Sequence, residues 1–326
     1  MKRMVIGDMH VQIKNLKDSN NLIDFIIKTA EEHGVDELLF LGDLFHTHAV
    51  LRIEVIDFWN NAFGKFELAG LEVVVLVGNH DQPGSREKEQ EMNALDVFDS
   101  DSALSGRIIV NEPMIINNVA YIPYMSDEKE FFKAAEKFSE AGTLVAHQTF
   151  TGAQYENGFF SEEGIDPALV PQKQILSGHI HMTQQIGKCF YPGTPKWDTM
   201  SDANQDKGIW IMEFLSDGSL SQHNMEFIPT RDIVTPITSY TVLEGEELPE
   251  LDPKARNYVV LEGKSVWITK MKKQIKDLAQ VKVKPTDRKT ITNKENSETL
   301  EKYLETEFEP ISGVSKKEIK EHLVAL

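Results

Sequence analysis

Short apolar runs that stop abruptly at Gly, Asp, Asn or His recur through about the first 230 residues of this chain. Five stand out: Arg3-Met4-Val5-Ile6-Gly7-Asp8-Met9-His10, Leu38-Leu39-Phe40-Leu41-Gly42-Asp43, Val73-Val74-Val75-Leu76-Val77-Gly78-Asn79-His80-Asp81, Leu144-Val145-Ala146-His147 and Ile175-Leu176-Ser177-Gly178-His179-Ile180-His181. Unbroken β-branched runs of this kind suit strands buried on both faces. Between the first three lie segments of helical period, with Leu22, Ile23, Phe25, Ile26 and Ile27 before His33-Gly34, and Ile53, Val55, Ile56, Phe58, Trp59 and Phe63 before Gly70. That alternation predicts βαβ units. Residues 107–110, 114–116 and 119–122 read as shorter strands, and 209–214 should fold across Asp217-Gly218 onto 225–228 as a hairpin. The expected fold class is α/β: a mixed β-sandwich flanked by helices over residues 1–229.

Beyond Pro229 the pattern changes. Residues 234–242 and 258–261 read as strands, 266–278 as a helix and 281–284 as a strand, so 230–290 is expected to form a small α/β capping module. Within residues 264–290, Lys264, Lys270, Lys272, Lys273, Lys276, Lys282, Lys284, Arg288 and Lys289 are opposed only by Asp277 and Asp287. The stretch is either a DNA-contacting surface or a solvated helix face. A polar linker near 290–297 leads to Leu300, Tyr303, Leu304 and Phe308, then to Ile319, Leu323 and Val324, the apolar stripes of two short C-terminal helices. Such helices are marginal alone and gain burial in a partner's groove, so 291–326 is expected to be a linker and partner-binding tail.

At 326 residues the chain has room for a catalytic core and an accessory module. Its single cysteine, Cys189, allows no internal disulfide and no cysteine-based zinc knuckle. The apolar run after Met1-Lys2-Arg3 is far shorter than a signal-peptide core or a membrane span, so a cytoplasmic protein without membrane segments is expected. A net charge of −18 weighs against non-specific binding of a polyanion. Bound cations, however, dominate local charge at a metal site.

In open α/β sheets, functional groups gather at the carboxyl ends of the strands. Here those ends deliver Asp8, His10, Asp43, Asn79, His147, His179 and His181, hard oxygen and imidazole donors without a thiolate. The set suits Mn2+, Fe2+ or Zn2+ better than Mg2+ or Ca2+. Asp8 with His10, and His179 with His181, are spaced to project to one side of an extended chain. A glycine before Asp43, Asn79 and His179 is expected to permit the turn that aims each of them.

The ordered set Asp-x-His, Gly-Asp, Gly-Asn-His-Asp, His and Gly-His-x-His resembles the signature of the calcineurin-like metallophosphoesterase superfamily, over residues 1 to about 215. Gly42-Asp43-Leu44-Phe45-His46 is similar to the nuclease branch, the SbcD-type subunits of recombination nucleases; protein phosphatases of the superfamily put Asp-Arg after this Gly-Asp, and no arginine follows here. The stretch Tyr191-Pro192-Gly193-Thr194-Pro195-Lys196-Trp197, leading to Lys207-Gly208-Ile209-Trp210, resembles the small phage-encoded members and is expected to wall the site.

The resemblance implies two divalent ions, Mn2+ foremost. One would be held by Asp8, His10, Asp43 and His181, the other by Asp43, Asn79, His147 and His179, with Asp43 as the bridge. The ions would polarise a phosphodiester, lower the pKa of a water and stabilise the leaving oxygen. His80 would be the proton donor or transition-state contact, Asp81 would orient it, and His46 would position the phosphate or DNA. The same resemblance implies a DNA exonuclease and endonuclease in recombination, repair or replication, a homodimer within a heterotetramer completed by SbcC-type coiled-coil ATPase subunits. It would put the dimer contact on the helix bearing Phe58, Trp59 and Phe63, a pattern that core burial explains equally.

Two other readings compete: a stand-alone hydrolase of nucleotides or small phosphodiesters, which would need no module after residue 230, and an inactive scaffold, which would have lost ligands. His33 fits a helix C-terminus, and His48, His223 and His322 carry no motif. The aromatic segment 155–160 could line a DNA channel, with a hydrophobic satellite cluster as the plainer expectation.

Overall fold

The computed structural model describes residues 1–48, 50–83, 92–101, 106–275 and 278–287. They divide into two compact units, the first comprising Met1–Tyr240, Pro249–Val259 and Leu278–Gln280, the second Thr241–Leu248, 260–275 and 281–287. In the first unit β1 (Lys2–Ile6), β2 (Glu37–Phe40), β3 (Glu72–Leu76) and β4 (Arg107–Val110) run parallel in that order. The first two crossovers are α1 (Leu16–His33) and α2 (Ile53–Leu68). His33 closes α1 and Gly34 caps it in the left-handed conformation at φ 59°.

A second sheet holds β5 (Met114–Ile116), β6 (Val119–Ile122), β7 (Thr143–His147), β8 (Gln174–Gly178), β9 (Gln184–Ile186) and β10 (Cys189–Tyr191), in the order β5-β6-β7-β8-β10-β9. Its helix α3 (Glu128–Lys137) was not foreseen from hydrophobic period. Its start is nonetheless marked by Asp127, whose carboxylate accepts the N–H groups of Lys129 and Glu130. The expected hairpin is β11 (Gly208–Phe214) and β12 (Leu220–Pro229), added antiparallel to β1 with Trp210 opposite Val5.

Alternation along the strands sorts the side chains into layers. Met4, Ile6, Leu38, Phe40, Val73 and Val75 pack with α1 and α2, whereas Val5, Leu39, Val74, Tyr121, Val145 and Leu176 fill the space between the sheets. Ala120, Ile122, Leu144 and Ile175 face the opposite way, onto Phe131 and Ala135 of α3. The result is a four-layered α/β/β/α sandwich. Phe58, Trp59 and Phe63 of α2 are buried within it, so these rings belong to the core and offer no surface for a dimer.

β13 (Ile237–Leu243), β14 (Arg256–Gly263) and β15 (Gln280–Pro285) form a three-stranded sheet in that order. β13 begins after Pro236, three residues later than the apolar pattern suggests, because proline has no N–H for a ladder. In the second unit α4 (Ser265–Ile275) buries Ile268, Met271 and Ile275 and leaves Lys264, Lys270, Lys272 and Lys273 exposed, as are Lys282 and Lys284 of β15. Residues 276 and 277 and the helices expected over 300–308 and 319–324 lie outside the described residues.

Candidate metal centre

The seven residues picked out by strand-end position converge. Asn79 Oδ1 lies 2.7 Å from His179 Nδ1 and 3.0 Å from His147 Nε2, and His147 Nε2 lies 3.3 Å from Asp43 Oδ2. On the other side of Asp43, Oδ2 is 3.6 Å from His10 Nε2, which sits 3.0 Å from His181 Nε2, itself 3.7 Å from Asp8 Oδ2. Two clusters able to hold a metal ion therefore adjoin, Asp8-His10-His181 and Asp43-His147-His179, and a third joins His10, Asp43 and His80. Asp8, His10, Asp43 and His147 are buried.

The chain accepts backbone strain to build this. His10, Asp43 and His179 all have positive φ, at 41°, 51° and 81°, a region costly for residues with a Cβ and found where the surroundings hold a functional group in place. The glycines before the proposed ligands are needed for conformation, for room, or for both. Gly42 has φ 106°, which only glycine tolerates readily, and a Cβ on it would fall 2.4 Å from His147 Nδ1. Gly78 and Gly178 are needed for room: a Cβ on Gly78 would fall 2.3 Å from Asp43 Oδ1, and one on Gly178 would fall 2.8 Å from Asp8 Oδ1.

Main-chain groups then fix the donor atoms. The amide of His179 donates to both oxygens of Asp8, at 3.2 and 3.0 Å. His147 Nδ1–H donates to the Leu41 carbonyl at 2.7 Å, which turns Nε2 inward. His80 Nδ1–H donates to the His46 carbonyl at 2.7 Å, leaving Nε2 as that ring's free nitrogen.

Burial pushes the Asp8 carboxyl up to about 6 despite the pull of His147. Burial penalises Asp43 as well, but His147, His10 and His80 hold it far below the usual carboxylate range. Burial likewise disfavours charge on His147, yet Asp43 and Asp8 raise it to about 9, whereas burial and His147 depress His179 to about 3. The buried carboxylates of Asp43 and Asp8, 3.3 and 4.0 Å from the His147 ring nitrogens, thus favour the charged form of that imidazole. Such a centre calls for positive charge, and its donor set of carboxylate, amide oxygen and imidazole fits divalent cations.

Two expectations need amending. Asp81 spends both carboxylate oxygens on the main chain, accepting the N–H groups of Phe45 and Gly78, both at 3.0 Å. It braces the loops after β2 and β3. Burial and neighbouring Asp43 push its pKa to about 7. His46 lies beside His80, with ring centroids 6.1 Å apart, and its Nδ1 is 3.8 Å from Asp198 Oδ2. The segment 155–160 is no satellite cluster: Tyr155 packs on the core of the second sheet, but Phe159 and Phe160 are 72% and 63% exposed.

Motif spacing missed several supporting residues. His48 stacks on His80, with ring centroids 4.1 Å apart, and bonds the Asn79 carbonyl through Nδ1 at 2.8 Å. Glu156 Oε1 accepts the His181 N–H at 3.2 Å and lies 3.5 Å from His181 Nδ1. Asp198 gathers Gln12, Asn15, Lys14 and His46. In the segment expected to wall the site, Thr194 N–H donates to the His181 carbonyl at 3.1 Å. Buried Lys207, paired with Asp202 at 2.8 Å, donates to the same carbonyl.

Comparison with known proteins agrees with this geometry. The family model for calcineurin-like phosphoesterases matches residues 1–183. The chain is 25% identical over 245 residues to exonuclease subunit 1 of Enterobacteria phage T4, covering 70% of this chain and 68% of that protein. It is 28% identical over 202 residues to a putative phosphoesterase of Invertebrate iridescent virus 3, and 25% identical over 227 residues to the DNA double-strand break repair protein Mre11 of Halobacterium salinarum. These matches cover 59% and 65% of this chain and just over half, 56%, of each relative.

Proposed function

This chain belongs to the calcineurin-like phosphoesterase family, and we propose that within it the protein is a Mn2+-dependent DNA exonuclease and endonuclease acting through two metal ions. The observation that carries the proposal is Asp43, whose buried carboxylate faces ligand atoms of both clusters at once. Asp8, His10, Asp43 and His181 would hold one ion; Asp43, Asn79, His147 and His179 would hold the other. Bound there, the pair would supply the charge that polarises a phosphodiester and steadies its leaving oxygen.

The rest is done by side chains. His80 presents Nε2 beside Asp43 and His10, where it would move a proton at the scissile phosphate. Burial keeps its pKa below the ordinary imidazole value. His46, half-buried beside His80 and Asp198, would orient the phosphate. The exposed lysines of α4 and β15 would contact the DNA backbone.

DNA is favoured as substrate by two relatives, one named as an exonuclease subunit and one as a DNA double-strand break repair protein. One of these relatives is named as a subunit; by its resemblance to SbcD-type nucleases the chain would act as a homodimer with an SbcC-type coiled-coil ATPase, in the cytoplasm. Among the described residues no helix is long and apolar enough to cross a membrane. Incubating the purified chain with Mn2+ and linear duplex DNA, p-nitrophenyl phosphate or bis-p-nitrophenyl phosphate tests the proposal. Cleavage of DNA and of the diester with little monoester turnover is expected; monoester turnover without DNA cleavage would overturn it.

A further inference from the structure

The turn holding Phe159 and Phe160 is tied to the metal centre and has the wrong composition for a phosphate contact. It is locked by its own main chain: Tyr155 N–H donates to the Phe159 carbonyl at 2.8 Å, Gly158 N–H to the Tyr155 carbonyl at 2.9 Å, and Ser161 N–H to the Ala153 carbonyl at 2.7 Å. Gly158, at φ 87°, makes the reversal possible. The base of the turn is clamped to β9 by two reciprocal bonds, Gln154 N–H to Gln184 Oε1 and Gln184 Nε2 to the Gln154 carbonyl, each 2.8 Å. Within this turn Glu156 reaches His181. Both rings are therefore held in solvent by a rigid loop that touches a ligand residue. A flexible loop would fold such rings against the core, because burying a phenylalanine is worth roughly 1.5–3 kcal/mol.

From residue 138 to residue 172 the chain has no lysine or arginine, while Glu156, Glu162 and Glu163 surround the two rings in sequence. The loop cannot neutralise phosphate; it offers a non-ionic, aromatic surface flanked by acids. A phosphodiester seated at the centre carries its bases on either side, and the turn that bears the two rings also bears Glu156, which bonds the proposed ligand His181. In an intact duplex those bases are already stacked on their neighbours, so free ring faces match an unpaired base.

Resting on the nuclease proposal above, we infer that Phe159 and Phe160 form a stacking platform for an unpaired nucleobase beside the scissile phosphate, which directs the enzyme to single-stranded DNA or frayed ends. The test compares the wild-type chain with Phe159→Ala/Phe160→Ala and Phe159→Tyr/Phe160→Tyr variants. Binding is read by quenching of 2-aminopurine in a single-stranded oligonucleotide. Turnover is read as the ratio of oligonucleotide cleavage to bis-p-nitrophenyl phosphate hydrolysis in Mn2+. The alanine variant should lose the quenching and lower the ratio about 5- to 100-fold, the range of base–aromatic stacking, and the tyrosine variant should restore both. Unchanged quenching and ratio in the alanine variant would overturn the platform. So would intact DNA handling combined with a change in the chain's own oligomeric state, which would make the rings a protein contact. Failure of the wild type to hydrolyse either substrate would count against the nuclease proposal instead, leaving the platform to be judged by quenching alone.

Discussion

The main-chain N–H of His80 donates to Asp43 Oδ1 at 2.7 Å, so the residue proposed to move a proton also anchors the carboxylate proposed to bridge two ions. With Oδ1 held there and Oδ2 facing His10 and His147, Asp43 has little freedom to turn. Asp43→Asn keeps the shape and removes the charge. It should abolish DNA cleavage and weaken Mn2+ at both sites by at least roughly 100-fold, more than the loss of an outer partner usually costs. Calorimetric titration checks this, and two sites of unchanged affinity would remove Asp43 as the bridge.

His80→Ala should behave differently. The backbone amide that holds Asp43 survives the substitution, so two Mn2+ per chain should remain by elemental analysis. Turnover should fall about 10²–10⁴-fold, the usual contribution of a positioned proton-transfer group. A near-normal rate would take His80 out of the mechanism.

Glu156 predicts an effect confined to one site. Its carboxylate supports His181 and no other proposed ligand, so Glu156→Ala should weaken one Mn2+ site about 10–100-fold and leave the second alone. Equal losses at both sites would show that the substitution disturbs the loop as a whole.

Loading the centre should release a proton. In the metal-stripped protein Asp43 and Asp8 raise His147 to about 9, so its imidazolium is populated at pH 7.5 and must deprotonate before Nε2 can bind a cation. Because this folded-state pKa lies above the working pH, Mn2+ affinity should rise as pH increases from 7 towards 9. Titrations at pH 7.5 in buffers of different ionisation enthalpy should report a proton leaving the protein; no buffer dependence would contradict this.

The candidate metal-binding face was largely legible in the sequence because strand ends carry it. An apolar run followed by Gly-Asp or Gly-His-x-His announces both the strand and the residues that leave it, and Asp8, His10, Asp43, Asn79, His147, His179 and His181 do meet. Long-range contacts were not legible. Nothing near Asp81 reveals that its carboxylate reaches Phe45, and nothing near Glu156 points to His181, 25 residues on. Helix α3 was missed because Phe131 and Ala135 form too narrow an apolar stripe among charged neighbours, although its Asp127 cap was readable. For Gly78 and Gly178 a turn was the natural expectation; crowding by Asp43 and Asp8 becomes visible only in three dimensions.

Anomalous diffraction from crystals grown with Mn2+ tests the central claim most directly. Two peaks roughly 3.5–4 Å apart, the usual separation in two-metal sites, should flank Asp43, one against Asp8, His10 and His181 and the other against Asn79, His147 and His179. A single peak at full occupancy, or two peaks that do not share the Asp43 carboxylate, would contradict the two-metal centre.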